Sequence, residues 1–185
     1  MSRLLDLVLA ALALLLLSPL LALAVLAIRI EGGGPVIYRQ RRVGKDGEVF
    51  ELLKLRTMVA GSDPVGVGTA VTRDDPRVTH AGRILRRFSI DEVPQVLNVL
   101  RGEMSLVGPR PLPVRDYERL EEWHRKRYLV LPGMTGLWQI SGRSNLAFDD
   151  LVRLDFYYLE TWSVWLDISI LLKTIPAVLM RRGAY

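Results

Sequence analysis

The sequence predicts a mixed α/β protein: an N-terminal membrane helix followed by a small domain with amphipathic helices at the membrane interface. Three observations carry this. Leu7 to Ile28 contains no charged residue over 22 positions. After Gly32-Gly33-Gly34-Pro35 the pattern changes to alternation and then to helical spacing. The last apolar stretch, "WLDISILLKTIPAVLM", is interrupted by Asp167, Lys173 and Pro176, too broken to span a bilayer and suited to lying on its surface.

The first segment has the length of a bilayer crossing. At about 1.5 Å per residue its apolar run covers roughly 33 Å, about one hydrocarbon core. A secretory signal peptide fits less well, because the run is long and no small-x-small site precedes Arg29. Pro19 removes a backbone donor and clashes with the carbonyl of Leu15. The Ser18 hydroxyl can bond a freed carbonyl one turn back, which makes a bend tolerable in lipid. Arg29, Arg39, Arg41, Arg42 and Lys45 follow the run, so that side is expected to be cytoplasmic. Arg3 and the terminal amine make the other flank weakly basic too. These residues leave both a kinked spanning helix and a re-entrant one open.

Two units follow, residues 1–32 for the membrane helix and 33–185 for the catalytic domain. In the second, "PVIYRQRRVGKDGEVFELLKLRTM" reads as two strands joined by a turn at Gly44–Gly47. Lys54 and Arg56 are two apart and share a strand face. "AGSDPVGVGTAVTRDDPRVTH" reads as a loop, and its glycines match no phosphate-loop or dinucleotide fingerprint. Helical patterns cover 81–87, 91–101, 116–128 and 147–160. Tyr157, Tyr158, Trp162 and Trp165 are candidates for headgroup level.

The net charge is +5, which beside an apolar anchor suits an anionic membrane or a phosphate-bearing substrate. No nucleic-acid recognition motif is present. The absence of cysteine excludes disulfides, thiolate metal sites and cysteine nucleophiles. His80 and His124 have no ligand-like spacing.

"FSIDEVPQVLNVLRGEMSLVGPRPLP" is the most informative stretch. Val93, Val96, Leu97 and Leu100 follow helical spacing and are expected to face inward. Pro94 fits only in a first turn, which puts Asp91 and Glu92 at the helix N-terminus. Asp91 as a plain N-cap is the ordinary reading. Arg86 and Arg87 upstream, and Arg110 between Pro109 and Pro111, widen the possibilities. A carboxylate pair among arginines can hold Mg²⁺ and a phosphate together. One carboxylate can also attack phosphorus and form an acyl phosphate. In "NLAFDDLVRLDFYYLETW", Phe148, Leu151, Val152, Leu159 and Trp162 form an apolar stripe that includes Asp155. A carboxylate there needs an arginine or a metal site as partner. "PGMTGLWQISGRS" offers Trp138, Gln139 and Arg143 among glycines, weak evidence for a nucleotide loop.

These stretches, in this order, resemble the bacterial sugar transferases, monotopic phosphoglycosyl transferases that act on polyprenyl phosphate. The Ser-Pro anchor, Asp-Glu followed by Pro-Gln, and Gly-Pro-Arg-Pro carry the likeness. Ile90 and His80 stand where Leu and a basic residue are expected, and the loop at 61–68 is particular to this chain. The resemblance implies that Ser18 and Pro19 bend a re-entrant helix, with both ends cytoplasmic at the bacterial inner membrane. It implies transfer of sugar-1-phosphate from a UDP-sugar to polyprenyl (undecaprenyl) phosphate, with release of UMP, in exopolysaccharide, O-antigen or lipopolysaccharide synthesis. "GLWQISGR" resembles members that use UDP-hexoses. Asp91 would be the nucleophile, and Glu92 would help hold Mg²⁺ with Asp91 and Asp155. Lys54, Arg86 and Arg110 would bind phosphate, and Gln139 and Arg143 the nucleotide or sugar. Membrane lipid is an implied partner and a homodimer is left open. The rival classes are a membrane-bound Mg²⁺-dependent phosphohydrolase using the same pair, and a non-catalytic membrane scaffold.

Overall fold

The computed structural model describes residues 3–32, 34–59, 61–62, 75–141 and 148–179. Helix α1, Arg3–Glu31, runs through Pro19, and the Ser18 hydroxyl donates to the Leu15 carbonyl at 2.8 Å, one turn back as expected. It is the one described helix long and apolar enough to cross a membrane. Most of its surface is exposed leucine, such as Leu15 and Leu16, an apolar surface that suits lipid. Asp6, Ala10, Ala24 and Ile28 are its buried residues.

The rest is mixed α/β, in agreement with the sequence. Strands β1 (Ile37–Val43) and β2 (Val49–Leu55) form an antiparallel hairpin through a short turn at Lys45–Gly47. Helix α2 (His80–Arg87) is capped by the Thr79 side chain, which accepts from Gly82 N at 3.0 Å. Gly82 is bare for a reason: a Cβ there would lie 2.1 Å from the Thr57 carbonyl oxygen, so the helix rides directly on the backbone leaving β2. Helix α3 (Gln95–Arg101) leads to β3 (Ser105–Val107), which pairs in parallel with β4 (Gly133–Thr135). A short α4 (Val114–Tyr117) and a 3₁₀ segment (Glu122–Leu129) replace the single helix expected over 116–128. Glu122–Leu129 has no apolar stripe, so nothing selects a longer helix. Helix α5 (Leu137–Ile140), α6 (Phe148–Glu160) and α7 (Val164–Leu179) complete the fold.

The main core joins Ala10 of α1, Leu52 of β2, Val96 and Val99 of α3, Met104, Leu106 and Val107 around β3, Tyr158 and Ile170. A second cluster joins Ala24 and Ile28 to Leu55 and Leu85. Two expectations shift here. Of the inward face expected from Val93, Val96, Leu97 and Leu100, Val96 is buried in the main core and Leu100 packs against it half-buried, while Gln95, Asn98 and Val99 are buried beyond that stripe. Contacts with α1, β2 and β3 surround this helix, so its polar Asn98 is inside. Tyr158 is also interior. Its hydroxyl donates to Asp167 at 2.8 Å, and Asp167, which breaks the last apolar run, is fully buried and also accepts from Trp162 Nε1. Trp165, Tyr157 and Trp162 remain exposed, as an interfacial role requires.

Asn98 joins α3 to the hairpin. Its Oδ1 accepts from Leu53 N at 3.0 Å, and its Nδ2 donates to the Glu51 carbonyl and to Glu103 Oε2 at 2.7 Å each. Asn98→Leu would leave the buried Leu53 N–H without a partner, a loss of about 1–3 kcal/mol before the other bonds are considered. We expect a clear drop in thermal midpoint for Asn98→Leu, measured in detergent, and no comparable drop for the exposed Arg101→Ala.

Candidate functional site

Three segments converge on one open cavity of about 1080 Å³. The first is the end of β2, carrying Lys54. The second is the last turn of α2, carrying Arg86, with the turn that follows it, carrying Asp91 and Glu92. The third is the Gly-Pro-Arg-Pro loop after β3, carrying Arg110. All five side chains line the cavity, as does Gln139 of α5.

The turn is built by Ser89, whose backbone is left-handed (φ 54°, ψ 23°), a conformation that costs a non-glycine residue energy. It swings the chain from α2 into a 3₁₀ turn at Ile90–Glu92, and Pro94 then opens α3. Asp91 and Glu92 therefore precede the helix, and no side-chain cap bond is made at either start. The plain N-cap reading of Asp91 does not describe this geometry.

Glu92 is clamped. Its Oε1 accepts from Lys54 Nζ at 2.9 Å and from Arg110 Nη2 at 2.6 Å, while Arg110 Nη1 lies 3.5 Å from Oε2. Burial pushes the Glu92 carboxyl up, but Arg110 and Lys54 outweigh it and hold the group well below the usual carboxylate range. Arg110 is in turn held above its ordinary value by Glu92. Asp91 is different. Among the described residues none hydrogen-bonds its carboxylate, and burial raises its pKa against the pull of Lys54. Two adjacent carboxylates thus have opposed environments, one neutralised by cations and one held ready. Arg86 donates from Nε to Thr57 Oγ1 at 2.7 Å and acts electrostatically on Asp91.

The arginine loop is braced on every side. Gly108 N donates to the Thr135 carbonyl and Gly133 N to the Pro109 carbonyl, both at 2.9 Å. A Cβ on Gly133 would lie 2.1 Å from Gly108 N, so the two backbones touch. Arg127 Nη2 donates to the Arg110 carbonyl, and Arg42 Nη1 to the Pro111 carbonyl, at 2.8 Å each.

Asp155 does not join the pair. It faces the buried Arg127, with Nη2 to Oδ2 at 2.6 Å, and it is not among the residues lining the cavity. Of the two partners its burial demands, the structure supplies the arginine. Its contribution reaches the site only through Arg127 and the Arg110 backbone. Arg143 lies outside the described residues, as does most of the glycine-rich loop at 61–68.

The donor set suits a magnesium ion. Among the described residues no donor uses the Asp91 carboxylate oxygens, and Glu92 Oε2 is the less committed of its pair. Among the described residues no third carboxylate or histidine joins them. Mg²⁺ is commonly held in this way, by one or two carboxylates completed by substrate phosphate and water. Seven arginine and lysine side chains line the cavity against these two carboxylates, an excess that favours a polyanion. The sequence reading passed over Arg42, Thr57 and Arg127. For Arg42 a signal existed, the two-residue spacing of Tyr38, Gln40 and Arg42 on one strand face. Arg127 had none.

Comparison with known proteins identifies the family. A family profile for bacterial sugar transferases matches residues 1–181. The UDP-glucose:undecaprenyl-phosphate glucose-1-phosphate transferase of Caulobacter vibrioides is 49% identical over 192 residues, covering 99% of this chain and 71% of that protein. The exopolysaccharide production protein ExoY of Rhizobium meliloti is 43% identical over 195 residues, covering 97% and 86%. The undecaprenyl-phosphate galactose phosphotransferase of Salmonella typhimurium is 40% identical over 199 residues, covering 100% of this chain but 42% of that protein. With some relatives the match is thus nearly end to end, while in others this chain corresponds to less than half of the length. The chain belongs to the bacterial sugar transferase family, the phosphoglycosyl transferases that its sequence resembles.

Proposed function

We propose that this chain transfers a sugar-1-phosphate, from a UDP-hexose, to polyprenyl phosphate, giving polyprenyl diphosphate-sugar and UMP. The observation that carries the proposal is the uncommitted Asp91 carboxylate beside a cation-clamped Glu92 in a cavity rich in arginine. The names of the relatives, with undecaprenyl phosphate as acceptor and glucose or galactose as sugar, point the same way.

In this reading an Asp91 oxygen attacks the β-phosphorus of the UDP-sugar. The bond from that phosphorus to the bridging oxygen breaks, and UMP leaves with the electron pair. The sugar phosphate stays on Asp91 as an acyl phosphate. A phosphate oxygen of the polyprenyl acceptor then attacks the same phosphorus, and the Asp91 carboxylate is released. Lys54, Arg86 and Arg110 stabilise charge on the phosphoryl oxygens. Mg²⁺, when held by Asp91 and Glu92, would neutralise diphosphate charge. The cavity wall also includes Ala13 and Leu17 of α1 and Leu171 and Val178 of α7, an apolar side suited to a lipid tail.

The acceptor is a membrane lipid, and the placement of α1 supports a re-entrant helix at the cytoplasmic face of the bacterial inner membrane. Arg3 donates to the Val99 and Leu100 carbonyls at 2.6 and 3.1 Å. Asp6 accepts from Ser105 Oγ and from Leu106 N at 2.9 Å. At the other end, Glu31 accepts from His80 N and Ala81 N. Both ends of α1 are thus tied to one domain, the arrangement that a helix entering and leaving on the same side requires.

Three outcomes follow. UMP release from a panel of UDP-sugars is expected to continue past one equivalent of enzyme only when polyprenyl phosphate is present; sustained release without acceptor would make the chain a hydrolase. Arg110→Lys keeps the charge but loses the two-pronged geometry, so turnover is expected to fall by at least about tenfold in a folded protein. Near-normal turnover would remove Arg110 from the site. The chain has no cysteine, so Ser2→Cys gives a single topology reporter. It should resist a membrane-impermeant maleimide in intact cells and react after permeabilisation. Labelling in intact cells would contradict the re-entrant reading.

A further inference from the structure

Strand β1 presents Tyr38, Gln40 and Arg42 at two-residue spacing, so they share a face. Lys54 stands directly opposite Tyr38 in the hairpin register and belongs to the same face. All four side chains line the cavity. Lys54 is committed to Glu92, and Arg42 is not committed to any acid. Its Nε and Nη2 donate to Gln40 Oε1 at 3.1 and 2.7 Å, and its Nη1 to the Pro111 carbonyl at 2.8 Å. Every acceptor is neutral. Among the described residues no carboxylate pairs with it, whereas Arg39 has Glu51, Arg115 has Asp116, and Lys54 and Arg110 share Glu92.

A guanidinium has five N–H donors. Three are used to fix the orientation of Arg42, which leaves one on each terminal nitrogen. Burial, then repulsion from Arg110, lower its pKa to about 10, so it stays charged at neutral pH. A half-buried cation set beside a second guanidinium, with Glu92 and Asp116 attracting it only from beyond ion-pair distance, gains from an anion that can bond it directly.

We infer that Arg42, together with Arg110, forms a subsite for the nucleotide's own phosphate, the one that departs with UMP. This rests on the transfer reading above. Two phosphate sources compete for such a site, the nucleotide and the lipid acceptor. The apolar side of the cavity, from α1 and α7, suits the lipid. Arg42 comes from the hairpin wall with Tyr38 and Gln40, a polar and aromatic surface suited to a nucleotide. Gln40 is then a positioning residue, and its neutrality matters because an acid there would quench the charge that the phosphate needs.

Calorimetric titration of UDP into the full chain in nanodiscs tests this, since binding is read without turnover and remains decisive if transfer itself fails. Arg42→Gln is expected to raise the UDP Kd by about tenfold or more, with Arg42→Lys restoring only part of the affinity because the fork is lost. Gln40→Glu keeps the bond to Arg42 and should leave the thermal midpoint unchanged or higher, yet weaken UDP binding several-fold. A purely structural role for Arg42 predicts the reverse for Gln40→Glu, with UDP affinity intact. The inference is overturned if Arg42→Gln, folded by circular dichroism, binds UDP within twofold of wild type. It is equally overturned if the Arg42 variants spare UDP and raise the KM for polyprenyl phosphate instead.

Discussion

Glu92 accepts from Lys54 and Arg110 through a single oxygen, at 2.9 and 2.6 Å. The three residues come from β2, from the turn before α3 and from the loop after β3, so one carboxylate ties together the three segments that carry the charged side of the cavity. It also offsets the repulsion between cations that would otherwise face one another. Taking one partner from a buried charge cluster leaves the remainder uncompensated, commonly at a cost of several kcal/mol; the one-fifth to one-quarter exposure of these side chains reduces that here. With Glu92 so engaged, no donor among the described residues reaches the neighbouring Asp91. In the proposed reaction, the neutralised acid would hold the frame and the uncommitted one would meet the substrate.

The scaffold behind the clamp serves the same end. Asn98 fixes α3 to the hairpin, and the contact of Gly108 with Gly133 sets the arginine loop against β4. Arg127, paired with Asp155, supports the Arg110 carbonyl from the interior. Helix α1 docks at both ends and lends Ala13 and Leu17 to the cavity wall. A site with arginines on one side and apolar side chains of α1 and α7 on another suits a reaction whose partners are a water-soluble nucleotide and a lipid.

Local patterns in the sequence were legible, and long-range partnerships were not. Two strand-like runs flanking the glycine-bounded turn at Gly44–Gly47 announced the hairpin, and the Ser18 bond to Leu15 follows from two adjacent residues. The Asp91–Glu92 pair and Arg110 stood out through their neighbours, Pro94, Pro109 and Pro111. The apolar face of α3 was legible at Val96 and Leu100, but the burial of Asn98 was not, because it is polar and is satisfied by backbone groups about 45 residues away. Tyr158 could pass for an interfacial aromatic until Asp167 supplied its interior partner. Asp155 was correctly read as needing a partner, but no spacing rule points from it to Arg127, 28 residues earlier.

The central claim is that Asp91 reacts while Glu92 holds. Intact-protein mass spectrometry after mixing the enzyme with UDP-hexose and Mg²⁺, without acceptor, tests it most directly. The account predicts a hexose-phosphate adduct that polyprenyl phosphate discharges, and no adduct on Asp91→Asn, which preserves shape but removes the charge. Failure to trap an adduct, together with initial-rate kinetics that require both substrates bound at once, would contradict it and reduce Asp91 to a ligand for metal.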